Sequence, residues 1–187
     1  MKFENKNPRI ILIGGKARSG KSTLANNIGN ILSKNGSKVI YSQYTKYLKQ
    51  YIEEITGESI SETNKPRELL QKLSSDLIKD KLGKTNFFID RQLEDIAIYS
   101  YFADYIIISD VRFPKEIDIV KEKFNNVISI GVKRYNYDTD LSIAQQNDVT
   151  EISLDDYDKF DYVVDNYDDT NLYDKAIEII KDFERVN

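Results

Sequence analysis

A three-layer α/β sandwich around a five-stranded parallel sheet, in strand order 2-3-1-4-5, is the fold this sequence predicts. Three observations predict it. Apolar β-branched runs alternate with segments whose apolar residues recur at helical spacing, the pattern of a parallel sheet covered on both faces. The first such run, Arg9-Ile10-Ile11-Leu12-Ile13, leads straight into Gly15-Lys16-Ala17-Arg18-Ser19-Gly20-Lys21-Ser22. That octapeptide fits G-x-x-x-x-G-K-[ST], a glycine-rich loop that holds phosphate between a strand and a helix. Finally, 187 residues suffice for one such domain and leave no room for a second full one.

The elements follow in order. Ser22 to Ser33 continues from the loop as a helix, with Leu24, Ile28, Ile31 and Leu32 on one face. Asn35-Gly36 turns the chain into a second strand, Lys38 to Ser42. Tyr44 to Ile55 reads as a helix carrying Tyr47, Leu48, Tyr51, Ile52 and Ile55 on one side. Thr56 to Asn64 is a polar loop. Pro66 opens a helix through Leu69, Leu70, Leu73, Leu77 and Ile78, which Gly83-Lys84 breaks. Phe87 to Phe102 is a further helix. Asp104 to Ser109 is a buried strand ending at Asp110, Pro114 starts a helix to about Phe124, and Val127 to Val132 is the fourth strand. Lys133 to Asp148 lacks periodicity and is rich in Asn, Asp and Gln, which fits a lid over about 133–150 or a plain surface excursion. Asp161 to Asp165 is the last strand and Thr170 to Phe183 the closing helix.

The loop's chemistry points to a nucleoside triphosphate. Its glycines let the backbone curl so that N–H groups between Gly15 and Thr23 face phosphate oxygens, and the positive end of the next helix adds to them. Lys21 is expected to reach the β- and γ-phosphates and the Ser22 hydroxyl to ligate Mg²⁺, so ATP and Mg²⁺ are the expected cofactors. Arg18, inside the loop, could reach a transferred group. Ser109-Asp110-Val111-Arg112-Phe113-Pro114 ends the third strand beside the loop. A carboxylate at Asp110 could hold Mg²⁺ through water or accept a hydroxyl proton. The Arg112 fork suits a phosphate. The other reading of Asp110 and Arg112 is a turn salt bridge before a Pro-started helix. Tyr41, Tyr44, Tyr47 and Tyr51 cluster after the second strand, where a base could stack on Tyr44, although tyrosines at helical spacing are commonly half-buried core.

Composition narrows the chemistry further. The chain has no cysteine and no histidine, which excludes thiol chemistry, Cys-based metal sites and an imidazole base. Any proton acceptor is then a carboxylate or water. No apolar run approaches the ~20 residues that span a bilayer. Met1 to Pro8 is polar and shows no secretory leader. A cytoplasmic location without a membrane partner is therefore expected. Charge is uneven: residues 1–100 hold 17 Lys/Arg against 11 Asp/Glu, and residues 101–187 hold 10 against 20. A positive half around the loop suits a small phosphorylated substrate, and the acidic half argues against a nucleic-acid groove.

Helical insertions after the second strand, an irregular segment after the fourth and the lack of a guanine-reading Asn-Lys-x-Asp segment fit the nucleoside monophosphate kinase layout. Ile108 to Glu116, Ile-Ser-Asp-Val-Arg-Phe-Pro-Lys-Glu, resembles the signature of the bacteriophage-type deoxynucleoside monophosphate kinases and their bacterial homologues, with Lys115 in place of the usual Asn. The loop is similar to theirs, with Ser22 where Asp is common. Tyr44 to Lys49 resembles their Phe-Ala-Asp-Pro-Leu-Lys region, without its Asp and Pro. Pro66 to Gln71 resembles their Pro-Arg-Glu-Leu-Leu-Gln helix, and Thr150-Glu151 and Asp165-Asn166 their late segments near lid and base.

The resemblance implies ATP-dependent phosphorylation of a (deoxy)nucleoside monophosphate by in-line transfer. Nucleotide-binding helices would cover about 44–102. Lys49, Arg67 and Arg112 would hold the acceptor phosphate, Arg134 would close in from the lid, and Asn166 would lie near the donor. The acceptor phosphate is already anionic near neutral pH, so no strong base is needed. Monomer and homodimer stay open. So do a dephospho-coenzyme A kinase, a phosphomevalonate kinase and a regulatory nucleotide-binding NTPase that ignores small acceptors.

Overall fold

The computed structural model describes residues 3–60, 66–135, 137 and 141–185, the Arg67 side chain excepted. In chain order the elements are β1 (Arg9–Gly14), α1 (Lys21–Lys34), β2 (Val39–Ser42), α2 (Lys46–Thr56), α3 (Arg67–Lys72), α4 (Phe87–Tyr99), β3 (Tyr105–Val111), α5 (Pro114–Lys123), β4 (Val127–Arg134), α6 (Ile143–Gln146), α7 (Val149–Ile152), β5 (Tyr162–Asn166) and α8 (Leu172–Arg185). α3 runs on as a π-helical stretch, Leu73–Lys81. All strand pairs are parallel and the order is β2-β3-β1-β4-β5, as the sequence predicts.

Side-chain alternation along the strands divides the core into two layers. Ile11 and Ile13 of β1 pack with Leu24, Ile28 and Leu32 of α1 and with Ile179, Ile180 and Phe183 of α8. Ile10 and Leu12 face the other way, onto Ile96 of α4 and Ile117 and Val120 of α5. Ile10, Ile11, Leu12 and Ile13 are each at most 1% exposed, so the central strand is covered on both faces. The helical insertion has its own small cluster, Leu48, Ile52, Leu70 and Ile78, which α2 and the α3 region share.

Several boundaries move, each for a visible reason. β3 continues two residues past Ser109, because Val111 still pairs with Gly14 across a register irregularity. β4 continues to Arg134, because Lys133 and Arg134 pair with Asp165 and Asn166 of β5. It thereby takes the first two residues of the expected lid. α2 begins at Lys46 and not at Tyr44, because the Tyr44 and Thr45 N–H groups are bonded to Asp110 on β3. Part of the lid-like segment lies outside the described residues. Among the described residues, no helix is long and apolar enough to cross a membrane.

Candidate functional site

Parallel strands in this order deliver their C-terminal ends to one edge, and the residues of interest sit there. The phosphate loop leaves β1. Arg112 follows β3, Arg134 ends β4 and Asn166 ends β5. The loop is curled as its sequence requires. Gly15 has φ 143°, and a Cβ there would collide with the Val132 carbonyl of β4, so only glycine fits. Arg18 adopts a left-handed φ of 58°. Lys21 is 8% exposed, and its Nζ donates to the Lys16 carbonyl at 2.5 Å, so the amine spans its own loop. Asn166 Nδ2 donates to the Ser19 carbonyl at 2.9 Å and buttresses the loop from β5. The Ser19 hydroxyl is buried without a hydrogen-bond partner among the described residues. Ser22 and Thr23 are exposed on the first turn of α1.

The structure gathers four further side chains against this loop. Arg134 donates to the Arg18 carbonyl at 3.2 Å and lies over the Tyr137 ring, whose hydroxyl donates to the Ala17 carbonyl at 3.0 Å. Glu151, on α7, accepts the Ala17 N–H at 2.6 Å through one oxygen and pairs with Arg112 at 2.8 Å through the other. Asp155 pairs with Lys16 at 2.8 Å. Between the loop, the end of β4 and the α7 segment lies a cleft of ≈ 370 Å³, walled by Lys133, Tyr135, Glu151, Asp155 and Phe160 among others. Phe160 lies directly over Gly131, where any side chain would displace its ring. Tyr135 stacks on Tyr167 with centroids 4.8 Å apart.

Other expected site residues are placed elsewhere. Both Asp110 oxygens are committed to the β2–α2 turn: one accepts the Tyr44 N–H at 2.9 Å, and the other accepts the Thr45 N–H at 3.0 Å and the Thr45 hydroxyl at 2.7 Å. Asp110 thus anchors the β2–α2 turn. Arg112, two residues on, pairs with Glu151. Tyr44 is buried beside Asp110. It is 3% exposed, its ring belongs to the core and its hydroxyl donates to the Glu116 carbonyl, so no face is left for a base. Lys49 donates to Gln43 at 2.8 Å on α2 and does not line the cleft. The Arg67 side chain lies outside the described residues. Removing the Asp110 carboxylate should strand two backbone N–H groups. Asp110→Ala is therefore expected to destabilise the fold by about 1–3 kcal/mol in chemical denaturation. A rise in stability would instead mark Asp110 as a strained ligand.

The base of the Arg112 turn is held by a buried acid. Glu116, on the first turn of α5, accepts the Arg112 N–H at 2.7 Å and the Phe113 N–H at 3.1 Å. Burial raises its carboxyl from the ordinary 4.5 to about 7, against the lowering effect of the Arg112 N–H. Its contribution to stability is fully present below about pH 4.5 and is lost as pH rises through about 7. Folding stability should therefore fall between pH 5 and pH 8, and Glu116→Gln should flatten that slope. An equal slope in both proteins would exclude Glu116 as its source.

Mg²⁺ is tested by the donor set. Among the described residues, no three acidic or imidazole groups cluster. A Mg²⁺ ion that keeps most of its waters and shares a substrate's phosphates needs little more than one protein oxygen. The exposed Ser22 hydroxyl at the start of α1 fits that need.

No family model matches the sequence, and no curated protein matches it. Solved structures do match its fold. APS kinase from Mycobacterium tuberculosis, in complex with AMPPNP and APS, is 9% identical with a TM-score of 0.55, over 95% of this chain and 98% of that one. The fold is that of the P-loop kinases. Shikimate kinase from Bacteroides thetaiotaomicron is 13% identical with a TM-score of 0.51, over 95% and 98% of the two chains. Shikimate kinase from Aquifex aeolicus is 13% identical with a TM-score of 0.50, over 94% and 96%. Glu151 and Asp155 contact the loop, which spacing alone does not disclose. Their partners in the loop lie 134 and 139 positions away. The one local signal is the Thr150-Glu151 pair.

Proposed function

We propose that this chain transfers the γ-phosphoryl group of ATP to a nucleoside monophosphate, most simply a deoxynucleotide. One observation carries the reading. The Glu151 carboxylate is held at once by a phosphate-loop N–H and by Arg112, so the loop and Arg112 converge on a single anion-sized position. A phosphoryl group passing between two nucleotides needs such a position.

In this scheme the loop backbone and Lys21 hold the donor's phosphates, and Arg112 holds the acceptor's. An acceptor phosphate oxygen attacks the γ-phosphorus. The new P–O bond forms as the bond to the β–γ bridging oxygen breaks, giving ADP and a nucleoside diphosphate. No proton need move in the bond-making step, which suits a chain without histidine. Positioning and charge neutralisation carry the rate. Mg²⁺, held from the Ser22 side, would supply further neutralisation of the donor phosphates. Arg134, tethered to the Arg18 carbonyl, is set to approach the transferred group from β4. The ring of Tyr135 gives the cleft an aromatic wall suited to a base. In this reading the segment beyond β4, to about residue 150, acts as the lid, and Arg67 and Lys49 guide the acceptor from the helical insertion.

ATP-to-ADP turnover with Mg²⁺ against a panel of acceptors tests the reading. The panel is the four common dNMPs, AMP, CMP, GMP, UMP, dephospho-coenzyme A and phosphomevalonate. Strong stimulation by at least one nucleoside monophosphate is expected. Stimulation by one of the other two compounds alone would reassign the acceptor.

A further inference from the structure

The same contact that marks the anion position also obstructs it. A carboxylate at a phosphate-loop N–H is an anion in a phosphate's place, and this one belongs to the protein. Glu151 is half-way along a short strap. Asp148 caps α7 by accepting the Thr150 N–H, and its other oxygen takes a hydrogen bond from Gln71 on α3. Glu151 then bonds the Ala17 N–H and Arg112, Leu154 is buried in the core, and Asp155 pairs with Lys16. The Thr150 carbonyl accepts a second contact from Arg112 at 3.3 Å. The strap thus ties together the loop, the arginine of the acceptor side and the helical insertion. The Glu151 side chain is only 11% exposed, so its charge is well sheltered and its two partners are well occupied.

We propose that Glu151 is an internal competitor of phosphate: it occupies the loop N–H and Arg112, and a nucleotide's phosphates displace it and release the strap. The inference rests on the reading that this loop takes nucleotide phosphates. Two consequences follow from charge alone. A phosphate and the Glu151 carboxylate cannot share one N–H, because like charges at that separation repel. Displacing Glu151 also frees Arg112, so donor binding prepares the acceptor side. The device couples the two substrates through one side chain and disfavours binding of an acceptor before the donor.

The test is the affinity of Mg²⁺·AMPPNP for the purified protein and its Glu151 variants, read by calorimetry. Glu151→Ala removes both contacts and is expected to tighten binding roughly tenfold, the scale of one charged hydrogen bond. Glu151→Gln keeps the loop contact and loses the ion pair, so it should tighten binding less. A thermal melt of each variant establishes that it is folded. Hydrogen exchange supplies a second readout in the wild-type protein: amides of residues 148–155 should exchange faster when AMPPNP is added. Equal affinity in all three folded proteins, with no change in exchange, overturns the competitor role while leaving the nucleotide reading intact. Weaker binding in both variants also overturns it and makes Glu151 a ligand-holding residue. No binding by any of the three overturns the nucleotide reading and this inference with it.

Discussion

Lys21→Ala is expected to lower turnover by about 10²–10³-fold or more while the protein stays folded, the scale at which one preorganised charge-stabilising donor acts. The amine already lies across the phosphate loop, within reach of the Lys16 carbonyl, and it is largely withdrawn from water. A cation in that position is worth more than one in bulk solvent, because the field it exerts is weakly screened. The side chain belongs to none of the hydrophobic clusters, so truncation leaves the packing of β1 against α1 and α8 in place. Steady-state kinetics beside a thermal melt separate the two effects. A folded variant with near-normal turnover would remove Lys21 from the chemistry and with it the donor half of the scheme.

The second large effect is expected at Arg112. Arg112→Ala should raise the acceptor KM and lower kcat together, for a combined loss on the order of 10²-fold. The donor KM should move less. The guanidinium faces Glu151 from the β3 side, where the main-chain hold of Glu116 fixes its turn. Arg112→Lys keeps the charge and loses the planar fork, so it should recover only part of the loss. Full recovery by lysine would mean that charge alone matters there. An unchanged acceptor KM with an unchanged kcat would remove Arg112 from the acceptor site.

What the sequence discloses depends on how local the determinant is. β1, the loop and α1 are legible because they are contiguous, and the octapeptide that links them encodes its own geometry. Strand order is legible because apolar runs separated by amphipathic helices permit few packings. Arg112 is legible as a residue that follows a buried strand beside that loop. The partners of Asp110 are not, because they are the backbone N–H groups of Tyr44 and Thr45, 66 and 65 positions away. Tyr44 has the spacing of a helix face, yet the Glu116 carbonyl, 72 positions on, draws its hydroxyl into the core. The start of the irregular segment is misjudged for a related reason. Lys133 and Arg134 are polar and look like loop, but pairing with β5 extends the strand through them. Glu151 and Asp155 lie in the acidic half of the chain, where one more carboxylate carries no signal, and only folding brings them to the loop.

The central claim is that phosphate leaves ATP for a nucleoside monophosphate held across the loop. The most direct measurement follows the phosphate itself: ATP labelled at its γ-phosphate is incubated with Mg²⁺, the protein and a mixture of the four dNMPs, and the products are separated by anion exchange. The account predicts label in one or more deoxynucleoside diphosphates, formed in step with ADP. Label appearing only as inorganic phosphate, at a slow rate indifferent to the acceptors, would contradict it and leave a nucleotide-hydrolysing switch in its place.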